Sequence, residues 1–186
     1  MSVRLILLLL AALALAACGG QRATPVSTGA GTAAIAAESQ LLDDTGDAVP
    51  RQGDLAPDFA YTLADGTTHK LSELRGKKVV VNFWATWCEP CRVEMPDLQK
   101  VSQEYGGQVA ILGVNWREEA DVIQPFAEEF AVTFPLIANP TEDITRRYGM
   151  RFAPMSYFIN TDGTVGYRQI GVMNYEFMRE RLDQLK

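Results

Sequence analysis

What this chain has little of already narrows its function. Its 186 residues include one histidine and three cysteines. So few cysteines cannot build a disulfide-dense scaffold. A structural zinc site of Cys and His would need all four of these side chains. Basic residues are also outnumbered, with 17 Lys and Arg against 23 Asp and Glu and a formal net charge of −6. That balance argues against a nucleic-acid partner, which needs a basic face to meet phosphates. No apolar run reaches the roughly 20 residues of a membrane-spanning helix. From Gly19 to Gly53 there is no aromatic residue. The rest is ordinary globular composition, 47% hydrophobic and 22% charged, too apolar for a disordered chain. The odd cysteine needs its own explanation if the protein is exported.

The N-terminus supplies one. Leu5–Ala17 is an unbroken apolar run of 13 residues behind a single charge at Arg4. That length suits the h-region of a secretory signal, roughly 7–15 residues. The run ends Leu15-Ala16-Ala17-Cys18. This resembles the bacterial lipoprotein signal, which implies that Cys18 becomes the first mature residue and carries acyl chains. Residues 1–17 are thus expected to be a signal peptide. Residues 18–52, rich in Ala, Gly, Thr and Ser, read as a flexible tether with a mean reach of roughly 30 Å. Within it, Ala33–Leu42 reads as a transient helix.

Residues 53–186 read as one domain, long enough for a single core. Phe59–Leu63 and Thr67–Leu71 flank Asp65-Gly66, a hairpin signal. Lys78–Trp84 (KVVVNFW) is a β-branched and aromatic run that suits a central strand covered on both faces. A helix over Glu89–Tyr105 follows, kinked at Pro96 and stopped by Gly106-Gly107. Val109–Val114 is a second strand. A helix over Asp121–Phe130 would carry Val122, Phe126 and Phe130 on one face. Phe134–Ala138 is a short strand and Glu142–Tyr148 a short helix. Tyr157–Asn160 and Thr164–Ile170 form a second hairpin around Asp162-Gly163, and Asn174 caps a last helix. Alternating strands and helices predict an α/β fold with a mixed central sheet flanked by helices.

The chemistry lies in Trp87-Cys88-Glu89-Pro90-Cys91, where the central strand gives way to a helix. Two thiols separated by two residues can close a small disulfide ring across the first helical turn. The helix N-terminus supplies partial positive charge and unpaired N–H groups, which stabilise a thiolate at Cys88. Cys88 is therefore the expected attacking sulfur and Cys91 the resolving one. Pro90 suits the first turn, where a missing N–H costs little. Glu89 works against the thiolate, since an adjacent negative charge disfavours it. Weaker thiolate stabilisation makes a better reductant, so the expected potential is a reducing one. Half a zinc site and an inert structural disulfide are the competing readings. Against the first, there is no second Cys pair and His69 stands alone. Against the second, a four-residue ring constrains little of the unfolded chain.

Val80–Pro96 (VVNFWATWCEPCRVEMP) resembles the active-site segment of the bacterial TlpA/ResA group of membrane-tethered thiol–disulfide oxidoreductases. The resemblance runs from Gly53 to Gly171. It implies a thioredoxin-like fold with an added N-terminal β-hairpin and a central insertion, here Asp121–Ala138. It further implies a cis bond at Ala153-Pro154, with the Ala153 backbone open for pairing with a partner chain. Met155 follows where the group has a different residue, and is expected near the sulfurs. Glu94, three residues after Cys91, would tune cysteine acidity, although on spacing alone it reads as a solvated helix carboxylate. Asn82 stands where many thioredoxins carry a buried Asp as proton acceptor. Asn cannot fill that role, which points to Glu94 or a water.

The expected function is a membrane-tethered extracytoplasmic thiol–disulfide oxidoreductase that reduces disulfides of exported proteins, apocytochrome c among them. A membrane thiol-reductant transporter would be its electron donor. No metal or organic cofactor is required, and a monomer is the default. A copper-delivery protein on the same fold is an alternative, but that type uses CxxxC and a downstream His, whereas His69 is upstream. A thiol peroxidase is another, but Ala85 occupies the position where the peroxidatic pattern has Thr.

Overall fold

The computed structural model describes residues 33–42 and 48–186. Cys18, the apolar N-terminal run and most of the expected tether lie outside the described residues. The described chain forms an eight-stranded mixed sheet in the order β3-β2-β1-β6-β5-β4-β7-β8. The strands are β1 (Ile35–Leu41), β2 (Phe59–Leu63), β3 (Thr68–Lys70), β4 (Lys78–Trp84), β5 (Val109–Asn115), β6 (Leu136–Ile137), β7 (Met155–Ile159) and β8 (Val165–Ile170). The helices are α1 (Glu89–Glu104), α2 (Ala120–Glu129), α3 (Glu142–Arg147) and α4 (Tyr175–Gln184). This is an α/β thioredoxin-like fold.

Strand β4 organises the rest. It pairs parallel with β5 over its whole length and antiparallel with β7. Its side chains alternate between two cores, as the pleat requires. Val80 and Trp84 join Met95 and Leu98 of α1, Ile123 and Phe126 of α2, and Met178 and Leu182 of α4. Val79, Val81 and Phe83 enter the opposite core with Ile144, Tyr148 and Tyr157. Asn82 has the parity of Val80 and Trp84, so it points toward α1 and is fully buried.

Two sequence expectations are corrected. Ala33–Leu42 is not helical. Its Ile35–Leu41 segment is strand β1, antiparallel to β2 and parallel to β6. The sheet therefore takes up part of the segment read as tether, and the folded region begins before residue 53. Alanine's helix preference yields to the unpaired edges of β2 and β6, which a strand can satisfy and a helix cannot. In α2 the buried face is Ile123, Phe126 and Ala127, while Val122 is exposed. That helix begins at Ala120 and, like α1 at Pro96, runs through its internal Pro125.

Candidate active site

The end of β4 delivers Ala85-Thr86-Trp87 to the start of α1. Cys88 is the N-cap residue, with extended backbone, and its sulfur accepts a hydrogen bond from the Cys91 N–H at 3.3 Å. Cys88 and Cys91 are joined as a disulfide, with Cα atoms 5.2 Å apart. Pro90 occupies the first turn, where no intrahelical N–H bond is lost. Cys91 is fully buried and Cys88 retains 4% exposure. Glu89 is exposed beside them. Trp87 is 65% exposed, and its ring lies 5.8 Å from that of Trp116.

One turn beyond Cys91 on the same helical face, Glu94 is completely buried. This corrects the solvated reading. The helix buries Cys91, Glu94, Met95, Leu98 and Val101 as one stripe, and Glu94 sits inside it. Asn82 Nδ2 donates to Glu94 Oε1 at 2.7 Å and to Ser156 Oγ at 2.9 Å. The Met173 N–H donates to Glu94 Oε2 at 3.0 Å. Burial pushes the Glu94 pKa up to about 7, against the two hydrogen bonds, which favour the carboxylate. A carboxyl that titrates near neutrality one turn from a thiol can take up or return its proton.

The Ala153-Pro154 peptide bond is cis, as the sequence resemblance implies. Among the described residues the Ala153 backbone makes no hydrogen bond. Met155 does not approach the sulfurs. It lies in the core on the opposite face of the sheet, paired with Phe83 and Ile170 across the strands, whereas both cysteines lie in the α1 core.

A third layer was not anticipated from sequence. Glu118 accepts from the Thr86 N–H at 2.7 Å, from the Thr86 hydroxyl, and from Asn115 Nδ2 at 2.8 Å. It ties the loop before Cys88 to the loop after β5. Trp116 and Glu118 follow the C-terminal end of the strand parallel to β4, the end where sites of open α/β sheets gather. That placement was the available signal. His69, by contrast, is on the edge strand β3, 5.6 Å from the Tyr61 ring and 3.8 Å from Glu73.

The chain has matches among known proteins. Residues 52–168 match the model of the AhpC/TSA family. The chain belongs to the AhpC/TSA family. Within this thioredoxin-like family it is 36% identical over 135 residues to the thiol-disulfide oxidoreductase ResA of Geobacillus thermodenitrificans, covering 72% of this chain and 78% of that one. A thiol:disulfide interchange protein of the thioredoxin family from Chlorobium tepidum superposes with a TM-score of 0.66 at 25% identity, covering 74% of this chain and 99% of that one. The pneumococcal exposed lipoprotein thioredoxin Etrx1 of Streptococcus pneumoniae superposes at 0.60 with 27% identity, covering 69% and 99%. The chain is a thiol–disulfide oxidoreductase, and Cys88–Cys91 is its CxxC pair.

Proposed function

We propose that this protein is a lipid-anchored reductant of disulfides in exported proteins. In the reduced form the Cys88 thiolate attacks a substrate disulfide. One substrate sulfur leaves as a thiolate and takes a proton, and a mixed disulfide joins the other to Cys88. Cys91 gives its proton to Glu94 and attacks Cys88. The second substrate sulfur departs as a thiolate and takes a proton, and the Cys88–Cys91 disulfide remains. Two electrons have moved to the substrate. A membrane thiol-reductant transporter then restores the dithiol, and apocytochrome c fits the class of substrate. Trp87 and the open Ala153 backbone beside Pro154 form the docking edge, and Glu89 lowers the potential slightly.

The observation that carries this reading is the disulfide at the N-terminus of α1 above a fully buried Glu94. Anchoring through Cys18 is supported by the signal-like run before it and by the likeness to an exposed lipoprotein thioredoxin. Among the described residues no helix is long and apolar enough to cross a membrane. Copper delivery is disfavoured because His69 sits on β3, five places from β4 in the sheet order.

Replacing Cys91 by serine removes the resolving thiol. Cys91→Ser should accumulate covalent complexes in cells that reductant releases, and their identification names the substrate. Absence of any such complex would overturn the exchange scheme.

A further inference from the structure

A groove next to the proposed docking edge has a charge opposite to that of the protein. A cavity of about 210 Å³ is walled by Val49, Phe152, Met155 and Ile170, with Arg151 and Arg168 at its rim and no acidic residue in its lining. Gly149, left-handed at φ +65°, lets Val49 lie against its backbone, where a Cβ would meet Val49 at 2.6 Å. Arg151 and Arg168 are exposed and enter no ion pair among the described residues. A neighbouring cavity shares Val49, Gly149 and Arg151 and adds Trp116, Arg117 and Arg146; Arg117 is paired with Glu142 and Arg146 with Asp143, so among the described residues the uncompensated charge of the groove is that of Arg151 and Arg168. Trp116 is the residue whose ring meets Trp87 beside Cys88. At the other end, Phe152 is 67% exposed and directly precedes Ala153. The groove thus lies on the sheet face that carries Met155 and reaches the edge of the redox site at two places, Trp116, whose ring meets Trp87, and Phe152, just before Ala153 and Pro154.

We propose that this groove selects the substrate: it takes an acidic segment with an aromatic or aliphatic residue, lying beside the cysteine that Cys88 attacks. The inference rests on the reductant reading above and specifies its substrate class. A substrate strand that pairs with the open Ala153 backbone and continues past it runs over Phe152 and Arg151. Guanidinium groups bind carboxylates through paired N–H donors. The apolar walls accept one side chain between them. The chain as a whole carries −6, so its global field favours a basic partner. A preference for an acidic one must come from local charge.

The experiment uses the reduced full chain and two disulfide-bonded peptides. They differ only beside one cysteine, Asp-Phe-Asp in one and Lys-Phe-Lys in the other. Exchange by a Cys88→Ser chain is subtracted to remove any contribution of Cys18. At low ionic strength the acidic peptide should be reduced about tenfold faster, and the ratio should approach one in high salt. Arg151→Glu should bring the low-salt ratio below one. Equal rates, or faster reduction of the basic peptide by the wild-type chain, would overturn the groove assignment and leave the reductant reading standing. So would an Arg151→Glu ratio equal to the wild-type one. If neither peptide is reduced and Cys91→Ser forms no mixed disulfide with either, the reductant reading falls and the groove falls with it.

Discussion

Two glutamates flank the redox loop, and each is bound by an asparagine on one of two adjacent parallel strands. Glu94 is held by Asn82 of β4, and Glu118 by Asn115 of β5. Their surroundings then diverge. Glu94 is sealed in the core with two donors, and burial lifts its pKa to about 7 in spite of them. Glu118 is only half-buried and bonded mostly to the loop, taking both the N–H and the hydroxyl of Thr86. Similar residue types therefore do different work. Desolvation suits Glu94 to the proton transfer proposed above, and a concentration of hydrogen bonds makes Glu118 a strut for the loop that presents Cys88.

The largest expected effect tests the first half of that contrast. Glu94→Gln keeps the shape and one of the two acceptor oxygens but cannot take a proton. Its exchange rate at pH 7 should fall about 100-fold, the usual scale for losing a positioned base. Stability should report the same titration. The folded-state pKa is raised from 4.5 to about 7, so between those values the native chain holds a proton that the unfolded chain has lost. Wild type is therefore at its best relative to Glu94→Gln below pH 4.5 and loses ground up to about pH 7, by about 3 kcal/mol over the whole span. Denaturant melts of the two oxidised proteins across this range check it. A flat difference, or an undiminished exchange rate, removes Glu94 from the proton path.

The second half predicts a smaller and different loss. Glu118→Ala leaves the Thr86 N–H and Asn115 amide without their acceptor in a half-buried setting. That should cost about 2 kcal/mol, a fall of roughly 8 °C in the melting midpoint. The exchange rate should drop much less than in Glu94→Gln. Glu118→Gln keeps an acceptor and should recover part of the stability. If instead Glu118→Ala abolishes exchange while melting normally, strut and proton carrier are not separate parts.

The contrast also marks what could be read from the chain alone. The redox pair, the central strand and the order of helices were legible because KVVVNFW and WCEPC are strong local signals. Burial of Glu94 was half-written in the spacing of Cys91, Met95, Leu98 and Val101, but a carboxylate at such a position reads as solvent-facing unless its partners are known. Those partners, Asn82 and the Met173 N–H, are 12 and 79 residues distant. Strand β1 reads as helix in the sequence because alanine gives no alternation to detect: only Ala36 of its residues is fully buried, and the pairing edges come from distant parts of the chain. The phase of α2 is hidden for a similar reason. Val122 and Ile123 each continue an apolar face with Phe126, and packing against the sheet, which the sequence does not display, selects the phase that buries Ile123, Phe126 and Ala127. Met155 failed on parity: the residue after Pro154 starts β7, and the pleat sends it to the face away from the sulfurs.

A third carboxylate gives the smallest effect and the finest test of what burial does. Glu89 adjoins Cys88 but lies exposed in the first turn of α1. Its charge suits the helix N-terminus and opposes the thiolate, so the sequence alone would make it a major determinant of potential. Solvent screening makes it a minor one. Glu89→Gln should stabilise the reduced form slightly and raise the potential by about 10 mV, measured against a glutathione couple. Because the interaction runs through water, the shift should shrink as salt is added. A lowered potential, or a shift indifferent to salt, would locate the influence of Glu89 in the helix it begins rather than in the field at the Cys88 sulfur.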